Sequence, residues 1–459
     1  MISTTSEKVQ GPDPALLAAL LAGEKYWPTE PQSVGELGLS EPFLEALICK
    51  WLLCNGDASG RTIAAEICIP FTIVESTLNR LRSRRYVTHS GAGQLNDYVY
   101  TLTDDGRSRA RSFYQESAYV GPAPVPLMDY VISVEAQAIG DEAIRRSDLA
   151  DAFHDVSVAS DLLELLGPAV NSGSGMFLYG APGNGKSTLA NRITACFGQS
   201  IWLPHAVIDG REIITVYDPA YHRPASAEAH ASSSDFDKRW IRVRRPTVVV
   251  GGELTMDNLE ISHDPVSKIS EAPLQMKSNC GCLLIDDFGR QRVEPAELLN
   301  RWIIPLESKH DFLTLSTGKK IQVPFEQLII FSTNLDPADL VDEAFLRRIP
   351  YRIEVKDPDT DEFHSLFQLA AASAGCEYDP DSVNHLLEKH YRPNRRPLRR
   401  CHARDLLLLL RNFCTYNELQ LEMRPDYFDR VAKSFFTREL AGDGESHPSQ
   451  AGIGGTNGH

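Results

Sequence analysis

The chain has 459 residues, with 46 Lys plus Arg against 62 Asp plus Glu and a formal net charge of −16. At ~150 residues per domain that length corresponds to about three domains, and 42 % hydrophobic with 24 % charged residues is a globular mixture that excludes disorder throughout. No apolar run approaches the ~20 residues of a membrane span, the run Ala15 to Ala22 lacks a basic leader, and 9 cysteines without an export signal read as reduced thiols of a cytoplasmic protein.

Residues 1–40 carry few apolar anchors and read as a flexible segment with one short helix at Pro14–Ala22. Residues 41–118 then follow a helix–helix–helix–hairpin grammar. Phe43, Leu44, Leu47, Ile48, Trp51 and Leu52 recur at helical spacing, and Asn55-Gly56 stops that helix. A second helix, Arg61 to Cys68, ends before Pro70. A third, Phe71 to Arg84, carries Phe71, Val74, Leu78 and Leu81 on one face. Tyr86-Val87-Thr88 and Asp97 to Tyr100 flank the turn Gly91-Ala92-Gly93, a β-hairpin pattern. Thr103 caps a following helix whose first turn holds Asp104 and Asp105. The order resembles the winged-helix family. Tyr119 to Pro126 is Pro-rich, so residues 119–140 read as a linker.

A phosphate-binding motif follows. Gly180-Ala181-Pro182-Gly183-Asn184-Gly185-Lys186-Ser187-Thr188 matches G-x-x-x-x-G-K-[ST], after an apolar strand and before a helical pattern. The glycines let backbone N–H groups turn inward around phosphates, and the helix N-terminus adds partial positive charge. Lys186 reaches the β- and γ-phosphates, and the Ser187 hydroxyl suits Mg²⁺. Cys282-Leu-Leu-Ile285-Asp286-Asp287 is an apolar strand ending in carboxylates. Asp286 is placed for Mg²⁺ and Asp287 for polarising the attacking water. A third apolar strand, Leu328 to Thr333, ends in Asn334. The only close cysteine pair, Cys280 and Cys282, sits in an apolar strand, which favours a core role over metal ligation. His205, His222, His230 and His263 fall at no metal-ligand spacing.

GAPGNGKST, LLIDD, FSTN and DEAFLRRIP together resemble the AAA+ ATPases. The resemblance covers roughly residues 140–440. It implies an α/β fold: a P-loop αβα core over residues 141–356 and a C-terminal helical lid over 357–440, with the winged helix in front. It also implies ATP and Mg²⁺ as ligands, ATP hydrolysis, and a homo-oligomeric ring such as a hexamer. Asn334 would be the sensor-1 residue. Arg347 or Arg348 would be the arginine finger inserted into a neighbour's site, Arg348 aligning better before Ile349. In the lid, helices are expected at Glu362–Ala372, Ser382–Tyr391, Cys401–Tyr416 and Pro425–Phe436. Arg395, Arg396, Arg399, Arg400 and Arg404 crowd the third, and Arg404 is the expected sensor-2 arginine. The alternatives for that cluster are a solvated basic patch or a nucleic-acid contact. Residues 441–459 are Gly- and Ser-rich and read as a disordered tail.

Two features narrow the subgroup. Leu313 to Pro324 alternates around Thr317-Gly318 and resembles the pre-sensor-1 β-hairpin of one AAA+ superclade. Some 78 residues separate the expected second strand, Ser200–Leu203, from the strand Cys282 to Ile285 that leads into Asp286-Asp287, which predicts an insertion. Within it, Gly251 to Leu259 followed by PLQMKSNCGCLLIDD resembles the interrupted second helix of MoxR-like and magnesium-chelatase-like ATPases. One residue departs from the common pattern: most AAA+ motors carry Glu where Asp287 stands, one methylene longer.

These features support an ATPase that remodels a protein client, recruited through the front module. Two other readings stand beside it: a DNA-binding protein that uses ATP as an assembly switch, and a nucleotide-binding scaffold with negligible turnover. In the front module Arg80, Arg82, Arg84 and Arg85 suit phosphate contacts, but they cluster at the end of the third helix, and Glu75 stands near its start. Residues 41–118 hold 9 basic and 9 acidic residues, so DNA is not the favoured partner.

Overall fold

The computed structural model describes residues 25–439, apart from 93–96, 142, 155–157, 159, 198–199, 226–235 and 342. The expected helix at Pro14–Ala22, the tail beyond residue 440, Gly93 and His230 lie outside the described residues. The chain divides into two compact units. The described residues of 1–154, 158–179 and 187–353 form one, and those of 180–186 and 354–459 the other.

The first unit opens with α1 (Glu41–Asn55), capped by Ser40 and ended at Gly56. Then come β1 (Ala58–Ser59), α2 (Gly60–Glu66), α3 (Phe71–Ser83), β2 (Val87–Ala92), β3 (Tyr98–Leu102) and α4 (Asp104–Glu116). The strands form an antiparallel sheet in the order β1-β3-β2. Leu44, Leu47, Ile48, Leu78 and Leu81 close its core, which extends to Tyr119, Ala123, Ala206 and Ile213. Each Leu or Ile side chain buried there contributes about 1.5–3 kcal/mol.

Two stretches expected to be free are packed. Val125–Pro126 forms β4, and Leu127–Ala136 forms α5, which buries Tyr130 and Val134. The linker reading of 119–140 is therefore corrected: its prolines set φ, but its apolar residues find a core. Likewise Leu37 is fully buried, and Trp27 packs edge-on against Trp202 with ring centres 5.5 Å apart. The described residues of 25–40 are thus held by aromatic contacts instead of forming a free lead.

Next come β5 (Met176–Tyr179), α6 (Lys186–Ala195), β6 (Ser200–Pro204), β7 (Ala206–Asp209), β8 (Glu212–Thr215), β9 (Trp240–Arg244) and β10 (Thr247–Val250). The expected second strand changes here. β6 pairs antiparallel with β9, with Trp202 opposite Arg242. The β-branched run Thr247–Val250 is the strand that lies parallel beside the acidic strand. The insertion therefore precedes the second strand of the parallel sheet instead of following it. It carries β6 to β9, and β7 and β8 join a mixed sheet with β4. Residues 251–281 hold a turn of 3₁₀-helix at Met256–Leu259, the hairpin β11 (Ser262–Asp264) and β12 (Ile269–Glu271), and a one-turn helix at Leu274–Lys277.

Farther along come β13 (Cys282–Ile285), α7 (Pro295–Ser308), β14 (His310–Thr314), β15 (Lys320–Pro324), β16 (Leu328–Thr333) and β17 (Tyr351–Glu354), and shorter helices lie at Arg146–Ala152, Pro337–Leu340 and Glu343–Leu346. β14 and β15 form the hairpin expected before the sensor strand, with Leu313 opposite Ile321. The central sheet has the order β10-β13-β16-β5-β17, and β10, β13, β16 and β5 run parallel. This is the expected α/β fold class.

In the second unit, α8 (Thr360–Ala374), α9 (Pro380–Leu386), α10 (Arg400–Tyr416) and α11 (Pro425–Glu439) form a helical bundle. Asp359 and Asp379 cap the first two. Phe363, Phe367, Tyr391, Leu406, Leu410 and Phe428 make its core. Burying α10 on Leu406, Leu407, Leu410 and Cys414 follows from their helical spacing.

Candidate functional site

Parallel pairing sets the site. Thr333 of β16 stands opposite Tyr179 of β5, and Phe331 opposite Ile285 of β13. Three strands therefore end along one sheet edge, β16 in the middle. Asp286 and Asp287 follow β13, and Asn334 follows β16. Ser187, in the first turn of α6, donates its Oγ proton to Asp286 Oδ2 at 2.6 Å. The hydroxyl and the carboxylate are hard oxygen donors, the set that Mg²⁺ takes with one or two protein ligands and substrate phosphates. The residues present fit that ion.

Asp287 adopts a left-handed backbone, φ +51. That turn ends the strand abruptly, at a cost that Asp tolerates better than most residues. The neighbouring chain holds it: Phe288 N donates to Ser332 O at 2.7 Å, and Thr333 Oγ1 donates to Phe288 O at 2.9 Å. Gln291 clamps the same turn, accepting from Gly289 N and donating to Asp286 O, each at 2.8 Å. Asn334 Nδ2 lies 3.4 Å from Asp287 Oδ1. The pair is open to solvent. Gln291 is a support that motif reading passed over, because glutamine is not diagnostic at that position.

In the second unit, Gly180, Gly183 and Gly185 take φ values of +132, +82 and +83. A Cβ on Gly180 would lie 2.6 Å from Val355 O, and one on Gly183 would lie 2.5 Å from Cys401 Sγ. Both positions need glycine for conformation and for room. Ala181 and Gly185 are half-buried, while Pro182, Gly183 and Thr188 are exposed. Lys186 is 7 % exposed and donates to Gly180 O at 2.9 Å and Ala181 O at 3.1 Å. Asn184 is buried. Its Nδ2 donates to Asp357 Oδ1 at 2.7 Å, and its Oδ1 accepts from Arg400 N at 3.3 Å. Cys401 N donates to Gly183 O at 2.9 Å. Burial and the adjacent Asp405 push the Cys401 thiol up to about 11, so it stays protonated beside the loop.

The arginines divide differently from expectation. Arg404 is 78 % exposed and pairs with Asp405, its own neighbour. It borders a groove with Ala370, Ser373, Leu407, Leu408 and Arg411. Arg399, at the N-terminal cap of α10, lies against Gly183 and pairs with Asp357. The residue beside the phosphate loop is thus Arg399, not Arg404. Arg404 sits about one and a half turns farther along α10, as 3.6 residues per turn dictates. Arg348 donates Nε to Glu307 Oε1 at 2.7 Å, whereas Arg347 is exposed. In the front module Glu45 binds Arg84 at 2.6 Å and Arg80 at 3.6 Å, and Glu41 binds Arg80 at 3.3 Å.

Among the described residues no helix is long and apolar enough to cross a membrane, and no cluster of three or more His, Cys, Asp or Glu side chains is disposed to hold a metal ion.

A family described as a domain of unknown function (DUF8689) matches residues 359–434, the span of the helical bundle. No curated protein matches the chain. Among solved structures, NtrX from Brucella abortus is similar at 16 % identity, covering 59 % of this chain and 54 % of that one, with a TM-score of 0.36. The chain therefore spans about half the length of that structure. A complex of the BchI and BchD subunits of magnesium chelatase is similar at 20 % identity over 62 % of this chain and 95 % of that one, TM-score 0.33. The RuvB Holliday junction branch migration motor of Thermotoga maritima is similar at 15 % identity over 64 % and 70 %, TM-score 0.33.

Proposed function

We infer that this chain is an ATPase of the AAA+ kind, with MoxR-like affinities, that binds ATP with Mg²⁺ and hydrolyses it. The observation that carries the reading is the 2.6 Å bond from Ser187 to Asp286 at a sheet edge shared with Asn334. Backbone amides of Gly180 to Lys186 would cradle the phosphates, and Lys186 would leave its carbonyls for them. Mg²⁺, held by Ser187 and Asp286, would neutralise charge on the phosphate oxygens. Asp287 would take a proton from the attacking water, with Asn334 orienting that water. An arginine from a neighbouring copy, Arg348 or the more exposed Arg347, would complete the site and make turnover depend on a ring.

The front module fits a protein partner better than DNA. Arg80 and Arg84 pair with Glu41 and Glu45, so two of the four arginines that suited phosphate contacts are occupied within the fold, and the module's basic and acidic residues balance. The client, on this reading, is a protein or complex remodelled by the ring.

Phosphate release from ATP, followed against protein concentration, tests the proposal. Specific activity should rise with concentration and vanish in Lys186→Ala. It should fall in whichever of Arg347→Ala and Arg348→Ala removes the finger, with ATP still bound. Turnover at background in the intact protein would leave only the scaffold reading. A duplex-DNA shift by the full chain at ~150 mM salt, with a steep salt slope, would favour the switch reading.

A further inference from the structure

Asp357 lies at the centre of a polar latch inside the second unit. Its Oδ1 accepts from Asn184 Nδ2 at 2.7 Å and from the guanidinium of Arg399. Asn184, 1 % exposed, also donates to Val355 O at 3.3 Å and accepts from Arg400 N at 3.3 Å. The loop, the chain leading to α8 and the start of α10 are therefore joined through one amide. The Asp357 and Arg399 side chains are 39 % and 20 % exposed, so their pair is open to exchange. A Cβ placed on Gly183 would stand 3.8 Å from Arg399 Cβ. The stem of Arg399 thus lies against the tip of the phosphate loop while its charge rests on a carboxylate. A guanidinium grips carboxylate and phosphate with the same planar fork. In this state the guanidinium of Arg399 is held by the Asp357 carboxylate.

We propose that Asp357 sets the preference for nucleoside triphosphate over diphosphate by holding Arg399 until a terminal phosphate takes it. The inference rests on the nucleotide-binding reading above. The exchange breaks one ion pair and forms another, and the terminal phosphate of ATP carries more charge and more acceptor oxygens than a carboxylate. ADP lacks that group and leaves the Arg399–Asp357 pair intact. Asn184 keeps its bond to Asp357 in both states, so the loop stays joined to the bundle while the arginine moves.

The test is the affinity of the full-length protein, with Mg²⁺, for ADP and for a slowly hydrolysed ATP analogue. It compares the wild type, Asp357→Asn, Arg399→Ala and the double variant. Asn at 357 still accepts from Asn184 but has no charge to hold the arginine. Asp357→Asn should tighten the triphosphate about threefold and leave ADP unchanged, a size set by a partly exposed ion pair. Arg399→Ala should weaken the triphosphate alone, and the double variant should match Arg399→Ala, because the two residues act as one unit. Asp357→Ser, with a thermal melt beside each variant, covers misfolding of the first substitution. Weaker triphosphate binding in Asp357→Asn and Asp357→Ser, or equal shifts for both nucleotides, would overturn the inference and leave nucleotide binding standing. If the wild type binds neither nucleotide, the nucleotide reading falls and the inference with it.

Discussion

Lys50 and Lys186 are both nearly sealed from water, at 4 % and 7 % exposed. Lys50 lies in α1 between buried neighbours, Cys49 and Trp51, and donates to Ser117 O at 2.9 Å. It joins one helix of the front module to the end of another. Lys186 opens α6 and donates to the carbonyls of Gly180 and Ala181, in the turn it terminates. Around Lys50 the backbone is helical and its amides are spent. Around Lys186, Gly180, Gly183 and Gly185 hold the backbone at positive φ, outside the helical conformation. The same charge is a structural cost in one region and, on the proposed reading, part of an anion site in the other, and the conformation of the surrounding chain decides which.

The acids repeat the contrast. Glu45, 6 % exposed, binds Arg80 and Arg84 within the front module. Asp286 and Asp287 bond instead to a hydroxyl and an amide, which do not cancel their charge. Paired acid builds the scaffold, and acid left to neutral donors suits a cation.

The largest expected effect is at Lys186. Lys186→Ala should lower ATP turnover by about 10²–10³-fold, the range for losing one donor to developing charge. Lys50→Met should leave turnover unchanged. Equal losses in the two variants would break the distinction between site and scaffold. Next, Asp287→Asn should cut turnover by about 10²-fold while ATP stays bound, as removal of a general base does. Asp287→Glu should raise turnover if the shorter side chain holds its water too far away, since ~1 Å of misplacement costs about 10²-fold. Phosphate release and analogue binding measure both. A smaller effect is expected at Glu45. Glu45→Gln leaves Arg80 and Arg84 without their charge partner and should cost about 1–3 kcal/mol in denaturant unfolding. Turnover at permissive temperature should not change.

These contrasts were unevenly legible in the sequence. The loop Gly180 to Ser187, Asp286-Asp287 and Asn334 were readable as candidates because each is a short run at one strand end. The bundle helices were readable because Phe363, Phe367, Leu406 and Leu410 recur at helical spacing. Pairing between distant segments was not. Ser200–Pro204 and Thr247–Val250 are both short apolar runs, and nothing local tells that the first pairs with Trp240–Arg244 and the second with Cys282–Ile285. Burial of Tyr130 and Leu37 depends on partners far along the chain. Among several arginines, Arg404 drew attention by its place in the leucine-rich helix. Arg399 earns its position from contacts with Gly183 and Asp357, which spacing does not encode.

The smallest effect tests the Lys50 side of the comparison. Burial pushes the Lys50 amine down to about 8 from an ordinary 10.5, and nearby Cys54 and Glu116 oppose the shift. Below pH 8 the amine is protonated in both folded and unfolded chains, so the burial cost is carried in full. Between pH 8 and 10.5 the unfolded chain holds its proton more tightly than the folded chain. Stability contributed by this site therefore rises with pH across that window. Lys50→Met keeps the volume, removes the charge and gives up one bond to Ser117 O. It should be more stable than wild type by about 1–2 kcal/mol at pH 7, the usual gain when a buried charge yields to a packed apolar group. The advantage should shrink as pH approaches 10.5. Paired urea midpoints for the two proteins across that range measure it. A difference that stays constant with pH would show that Lys50 is not charged at a cost, and that its bond to Ser117 compensates its burial in full.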